Sequence, residues 1–520
     1  MCYSSLTGDR PHMTTLAFQG GAARHLLARL LETPNLAQVV QSLDPKVLHQ
    51  LVRHFGVEEC GEVIALATTQ QLTQIFDDDL WSSNTPGIAE QFDADRFSLW
   101  LEVLAEVGEA VTAQKLVAMD FDFVTGALSR QFLVVDGEAL MVSPDAAEIL
   151  EARESYDFSG YTVIAKRSES WDALLSLLTI LDHQHHVFFK KLMQRCCQIS
   201  TEYIVDNGGL YEVLTADEQI MADIADAREA RRQQQGHVAA SDAAAFLKLA
   251  RQRQEDDTSL DLDPLSTAYF RDLPHRPLSG ERVNAFLASI EDGVLNNPRR
   301  LLLLAEPSIG GDRFSRIRAQ LLYAENHEST AYLRRSEELA YLANVLIAGC
   351  SFQSRRFRAV EAADAVLAIC NLGLENWPLP PGFLVQQSLI PVFQTGWRIL
   401  YEDVCLFAAT RLIEALSELR CDDRDIHDQI TDLLRRMKTQ VAAGTPWRER
   451  DNLNVIAILD PPSWAILVNL IDECAVVPRN ACTPSERPPL RVATEFEFVA
   501  ENRQVAWARN FAESLSERLC

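Results

Sequence analysis

The sequence predicts a mainly α fold of helical hairpins in a solenoid-like arrangement, with a small β element. Three observations carry this. Apolar residues recur at helical spacing along most of the chain. Two distant stretches share one design: Val39-Val40-Gln41-Ser42-Leu43-Asp44-Pro45 leads into Val47, Leu48, Leu51, Val52 and Phe55, and Val455-Ile456-Ala457-Ile458-Leu459-Asp460-Pro461 leads into Trp464, Leu467, Val468 and Ile471. One short segment, residues 160–165 (Gly-Tyr-Thr-Val-Ile-Ala), is β-branched instead.

The repeated corner has a physical basis. Asp at an N-cap accepts hydrogen bonds from the free N–H groups of the next helix, and Pro suits the first helical position because its missing N–H would have no partner there. Leu-Asp-Pro therefore ends one helix and starts another. A degenerate third copy runs from Phe97 to Asp120. Stacked hairpins of this kind build α-solenoids.

Residues 1–22 are rich in Gly, Ser and Thr and read as a flexible terminus. A helical repeat domain is expected over 23–150, from Leu26, Leu27, Leu30 and Leu31 through Leu72, Ile75, Phe76 and Leu80, with a surface loop at 82–94. Residues 151–254 read as a middle helical region with the short strand, one helix running from Trp171 to Cys197, and an alanine-rich helix capped by Ser241. Residues 255–277, with three prolines, are the expected linker. A C-terminal helical domain follows over 278–477, then a Pro-rich linker and a terminal helix from Asn502 within 478–520. Residues 494–499 alternate Phe496 and Phe498 with Glu495 and Glu497, and pairing of this strand with 160–165 would give the small sheet.

Seventy-four acidic against 48 basic residues give a formal net charge of −26, a field that repels phosphate and argues against nucleic-acid or anionic-membrane binding. Eleven cysteines form an odd set without a Cys-x-x-Cys pair, which reads as reduced thiols in a cytoplasm. Cys350, Cys370, Cys405 and Cys474 fall on apolar helical faces as small hydrophobes. No membrane span is expected: residues 376–397 are uncharged but carry four prolines, and the apolar stretch 339–354 has only 16 residues against the roughly 20 a span needs.

The stretch 33–45, with its Leu-Asp-Pro end, resembles the repeat of the superhelical cytoplasmic N-terminal domain of magnesium transporters. No pore segment follows, so the resemblance implies a helical repeat and not transport. Over its full length, and through residues 63–81, 343–378 with its Cys370-Asn371-Leu372-Gly373-Leu374-Glu375-Asn376-Trp377-Pro378 core, and 444–451 with Thr445-Pro446-Trp447-Arg448 in particular, the chain resembles an uncharacterised bacterial family, domain of unknown function 6178. That resemblance implies no activity, cofactor or catalytic residue.

The most metal-like cluster is Asp182-His183-Gln184-His185-His186. On a continuous helix Asp182 and His186 share a face at the i, i+4 spacing a divalent ion can bridge, with His183 near both. The helix supplies two or three ligands, so another must come from elsewhere, Glu202 or Asp206 for example. The competing reading is a polar face with an Asp–His hydrogen bond. Arg355, Arg356 and Arg358 form a basic patch suited to a phosphate or a partner's carboxylates, or to pairing with the chain's own surplus acids. Asn371, Glu375 and Asn376 read as caps of a helix end around Gly373, and Trp377, Trp397 and Trp447 as core anchors. The chain lacks Gly-x-Ser-x-Gly, Walker and Gly-x-Gly-x-x-Gly motifs; Ile309-Gly310-Gly311-Asp312 is a turn signal.

The leading expectation is a cytoplasmic helical scaffold that binds another macromolecule, with a protein partner, no nucleic acid, no expected cofactor and no assigned catalytic residue. The alternative is a divalent-metal enzyme built on Asp182, His183, His185 and His186.

Overall fold

The computed structural model describes residues 35–83, 87–136, 154–168, 170–205, 216–253, 262–272, 314–377, 382–419, 424–442, 461–479 and 495–518. They fall into two compact units, one taking in 35–82 and 90–231, the other 83–89 and the described residues from 232 on. Both are helical with small strand pairs, and among the described residues no helix is long and apolar enough to cross a membrane.

In the first unit α1 (Leu36–Ser42) meets α2 (Pro45–Phe55) at the Leu-Asp-Pro corner, where Asp44 accepts from the Lys46 N–H at 2.8 Å and Pro45 opens the helix. Next come α3 (Gly61–Leu66) and α4 (Thr69–Asp79), whose Thr68–Gln71 capping box fixes its start. Gln71 is buried and donates on to the carbonyls of Val40 and Leu43 at 2.8 and 2.9 Å, so the end of α1 finds its hydrogen-bond partners in the start of α4. A two-stranded pair follows, β1 (Trp81–Ser82) with β2 (Gln91–Phe92). Then α5 (Ala94–Ala118) breaks at Gly108, and Thr112 Oγ1 covers the freed carbonyls of Leu104 and Gly108 at 2.7 and 3.0 Å. Asp120 caps α6 (Phe121–Ser129), accepting from Phe123 N at 2.9 Å; the stretch from Phe97 to Asp120 is thus one broken helix and a cap. Phe76, Phe97, Trp100 and Phe123 gather in the core with ring centroids 5.2–6.4 Å apart.

The expected strand exists as β5 (Tyr161–Ala165), but its partners are β3 (Phe132–Asp136) and β4 (Ser155–Phe158), in the antiparallel order β3-β5-β4 with Val163 opposite both Val134 and Tyr156. The expected helix from Trp171 to Cys197 is two helices, α7 (Trp171–Gln184) and α8 (His186–Val205), because His185 leaves the helical region at φ −132°, ψ 43°. The last element here, α9 (Ala216–Gln234), belongs to this unit as far as Arg231.

The second unit holds α10 (Ala240–Arg251), with Ala239 and not Ser241 at its N-cap, and α11 (Pro264–Asp272), which lies inside the expected linker. Tyr269 and Phe270 give α11 an apolar face packed on the core. The helices α12 (Ser315–His327) and α13 (Ser329–Gly349) lead to a hairpin, β6 (Ser351–Phe352) with β7 (Arg355–Arg356). Then follow α14 (Ala359–Glu375), α15 (Phe383–Gln386), α16 (Ile390–Ile399), a π-helical stretch Leu400–Leu406, α17 (Phe407–Glu418), α18 (Arg424–Ala442) and α19 (Pro461–Leu470). The second Leu-Asp-Pro corner lies outside the described residues as far as Asp460. Strands β8 (Val476–Pro478) and β9 (Phe496–Phe498) pair with each other, so 496–498 does not join β5, and the end helix is split into α20 (Asn502–Glu513) and α21 (Leu515–Arg518).

Trp397 is fully buried and Trp377 packs on the core, whereas Trp447 and the turn at 309–312 lie outside the described residues. Asn376 caps α14, its Nδ2 donating to Leu372 O at 2.8 Å. Asn371 bridges instead, accepting from the N–H groups of Arg316 and Ile317 and donating to Ala500 O at 2.9 Å, while Glu375 accepts from Asn502 N at 2.6 Å. α14 and α16 cross backbone to backbone: a methyl group on Gly373 would strike the Val392 carbonyl, and one on Gly396 the Ile369 carbonyl. Because main chain cannot give way as a side chain can, Gly373→Ala and Gly396→Ala are each expected to destabilise the second unit by about 1–3 kcal/mol, read as a lower midpoint in urea.

Candidate functional site

The β6–β7 hairpin turns through Gln353 and Ser354, at φ 51° and 61°. Two consecutive left-handed residues make a type I′ turn, which favours Asn and Gly; at Gln and Ser each costs about 1 kcal/mol or more. The turn is held from beneath by the bend after α19. Asp472 Oδ2 accepts from Gln353 N at 2.8 Å, Glu473 Oε2 accepts from Ser351 N at 2.8 Å and Ser351 Oγ at 3.2 Å, and Asn469 Oδ1 accepts from Gln353 Nε2 at 3.2 Å. Both carboxylates are 4% exposed, and the main-chain donors that meet them help offset the cost of burying them. Glu473 also faces Arg251 at 3.3 Å, whose guanidinium lies over the Tyr401 ring at 4.5 Å.

Cys350, Cys405 and Cys474 surround this carboxylate pair, and Cys405 Sγ donates to Asp472 O at 2.7 Å. Burial first, then the nearby acids, pushes all three thiols up, so they are neutral small groups and not thiolate nucleophiles. Burial does the same to Cys60 and Cys196, each pushed up to about 12.

The arginine patch lies on this hairpin and at the N-cap of α14, and it is divided. Arg355 makes a bidentate pair with Glu361 at 2.6 and 2.7 Å and lies over the Phe352 ring at 5.4 Å. Burial raises the Glu361 carboxyl, but the Arg355 hydrogen bonds outweigh it and hold the group below its usual range. Arg358 gives its N–H to the same Glu361 at 3.0 Å, while its side chain and that of Arg356 are exposed.

In the other unit the structure joins Asp182 and His186, Oδ1 to Nδ1 at 2.9 Å, with His183 and His186 exposed. The break at His185 separates the helix that carries Asp182 and His183 from the one that carries His186. The Glu202 side chain and Asp206 lie outside the described residues. Among the described residues no group of three or more His, Cys, Asp or Glu side chains is placed to hold a metal ion.

Sequence reading overlooked Asp77-Asp78-Asp79, whose only signal is three acids closing a helix at its unfavourable end. Asp77 is held bidentately by Arg231 at 2.7 and 2.8 Å. Asp79 accepts from Arg96 Nε and Trp100 Nε1, both at 2.7 Å, and buried His49 stands 3.5 Å from Asp79 and 3.9 Å from Asp78. Burial pushes the Asp79 carboxyl up, yet His49, Arg96 and Trp100 together hold it well below the usual carboxylate range.

Residues 15–202 match the model of DUF6178, a family of unknown function. The DUF6178 match includes Asp77–Asp79 and the Asp182–His186 pair, whereas the hairpin, residues 343–378 and residues 444–451 lie beyond its end. No curated protein and no solved structure matches the chain, so no match supports the likeness of 33–45 to the magnesium-transporter repeat.

A carboxyl depressed in the folded state contributes its stability above its ordinary pKa of about 3.9 and loses it as the pH falls toward the folded value. Asp79→Asn is therefore expected to lower stability by about 1–3 kcal/mol at neutral pH, with the gap to the unsubstituted protein closing below about pH 4. Urea unfolding across pH 3–7 checks this, and a gap constant with pH would contradict it.

Proposed function

We propose that this chain is a cytoplasmic helical scaffold that binds another protein, and that the hairpin carrying Arg355, Arg356 and Arg358 is its point of contact. The observation that supports this reading most directly is the brace. Two buried carboxylates hold an exposed turn at positive φ on two residues that are neither Gly nor Asn. Strain kept in place by its surroundings belongs where a surface must be held in one shape. Arg355, tied to Glu361, stiffens the strand, and the exposed Arg356 and Arg358 offer guanidinium groups that suit a partner's carboxylates in a bidentate geometry. The seven described cysteines are free thiols, as in a reducing compartment.

The rival reading, a divalent-metal enzyme at Asp182, His183 and His186, draws on the 2.9 Å Asp182–His186 contact. That contact serves equally as an Asp–His hydrogen bond, and His183 and His186 stand on separate helices.

Two measurements separate the readings. Arg356→Glu/Arg358→Glu is expected to abolish capture of the partner in an affinity pull-down while the melting temperature stays unchanged; undiminished capture would remove the hairpin as the contact. Plasma mass spectrometry of the untagged protein is expected to find no stoichiometric zinc, iron or manganese. Metal that vanishes in His183→Ala/His186→Ala would favour the enzyme instead.

A further inference from the structure

Cations in this chain are mostly consumed internally. In the first unit Arg96 pairs with Asp79, Arg228 with Glu90 and Arg231 with Asp77; in the second Arg335 pairs with Glu338 and Arg509 with Asp403. With 74 acidic residues to 48 basic, acids outnumber the cations available to pair with them. Among the described residues the start of α8 is one place where such pairs are lacking. Residues 183–201 contain no Asp or Glu over 19 positions, and they hold three His, two Lys and one Arg. His183 at the end of α7 and His186, Lys190 and Lys191 in the first turns of α8 are all exposed, and Asp182, just before the stretch, is bonded to His186 alone among them. Neither lysine has a carboxylate within ion-pair distance among the described residues. Lys191 Nζ instead lies over the Phe121 ring at 4.0 Å, which fixes its position.

Amid these groups stands Val187, 85% exposed and the most exposed of the large apolar side chains described. Its neighbours Phe189, Leu192 and Met193 are buried, so the helix has a satisfied core face, and Val187 takes no part in it. A single exposed apolar residue is ordinary; one set beside two lysines that have no ion pair among the described residues is the pattern of an interface with a hydrophobic middle and a charged rim.

We infer that the face formed by His183, His186, Val187, Lys190 and Lys191 docks an acidic segment of a partner protein, one apolar side chain of which covers Val187. Charge complementarity selects this occupant. A carboxylate-rich segment offsets Lys190 and Lys191 locally and meets the rest of the chain only at its edges, whereas a long polyanion such as RNA would be repelled by a body of net charge −26. From His186 to Lys191 along α8 the face spans about 7.5 Å at 1.5 Å per helical residue, the length of roughly two extended residues, so the motif recognised is short. The inference rests on the reading of the chain as a binding protein, and it concerns a surface in the other unit from the hairpin.

The probe is a fluorescein-labelled Glu-Glu-Glu-Leu-Glu-Glu-Glu peptide titrated onto the full chain and followed by fluorescence anisotropy at low salt. Binding is expected, and Lys190→Glu/Lys191→Glu is expected to weaken it about tenfold or more with steeper loss as salt rises in the unsubstituted protein. Because Lys191 touches Phe121, Val187→Ser serves as a second variant that leaves the packing alone; a loss of about threefold is expected, the value of a partly buried apolar contact. The inference is overturned by no binding to the unsubstituted protein, by equal binding of both variants, or by a single-stranded oligonucleotide of matched charge binding as tightly as the peptide. Loss confined to Arg356→Glu/Arg358→Glu would also overturn it while leaving the scaffold reading in place.

Discussion

Carboxylates buried at the C-terminal ends of helices set the condition to which the polar interior of each unit answers. Asp77 and Asp79 close α4, and Asp472 and Glu473 follow directly on α19. At such ends the helix dipole presents partial negative charge, and burial adds several kcal/mol for each ion removed from water. Neither cost can be met by apolar packing. Each acid therefore requires donors aimed at it, and the elements that bring those donors are fixed in place as a result. In the first unit these are side chains: Arg96 and Trp100 from α5 and Arg231 from α9. In the second they are mainly backbone N–H groups of one hairpin.

The two solutions differ in what they determine. A side-chain donor on a long arginine fixes the distance between two helices and leaves the main chain of both alone. A main-chain donor fixes the backbone itself. When Asp472 takes the Gln353 N–H and Glu473 the Ser351 N–H, the turn between the strands must pass through the left-handed region at both residues, whatever their own preferences. The hairpin is thereby a rigid feature on a helical body, and the rings of Phe352 and Phe357, stacked at 5.1 Å and joined by Phe498, seat its apolar side.

Periodicity and capping made the helices legible, since both are local: the Asp44-Pro45 corner and the 160–165 strand could be read from neighbours alone. Partnership was not local. Phe496 and Phe498 announce a strand, but their partner is Val476–Pro478 and not Tyr161–Ala165, and nothing in either segment says so. The break at His185 was equally hidden, because the apolar stripe continues in phase on both sides of it. At the candidate site the arginines were visible by composition, as was their alternative of pairing with the chain's own acids; the structure realises that alternative for Arg355 and leaves Arg356 and Arg358 exposed. Asp472 and Glu473 gave no sign, since two acids after a helix look like solvated surface until the hairpin 119 to 122 residues away is brought against them.

Charge in this protein is best understood as a matter of what remains after internal pairing. An excess of acids means that most cations are drawn inward to match buried or crowded carboxylates, as Arg231 and Arg251 are. Some described cations stay at the surface: Lys190 and Lys191 lie in a stretch, 183–201, whose own sequence holds no acid, and Arg356 and Arg358 are exposed beside the Arg355–Glu361 pair. The thiols follow a parallel logic. Burial raises every shifted cysteine toward the neutral form, which removes reactivity and leaves volume. What such an interior offers to the outside is shape and residual positive charge at a few positions, and those are the properties by which one protein surface selects another.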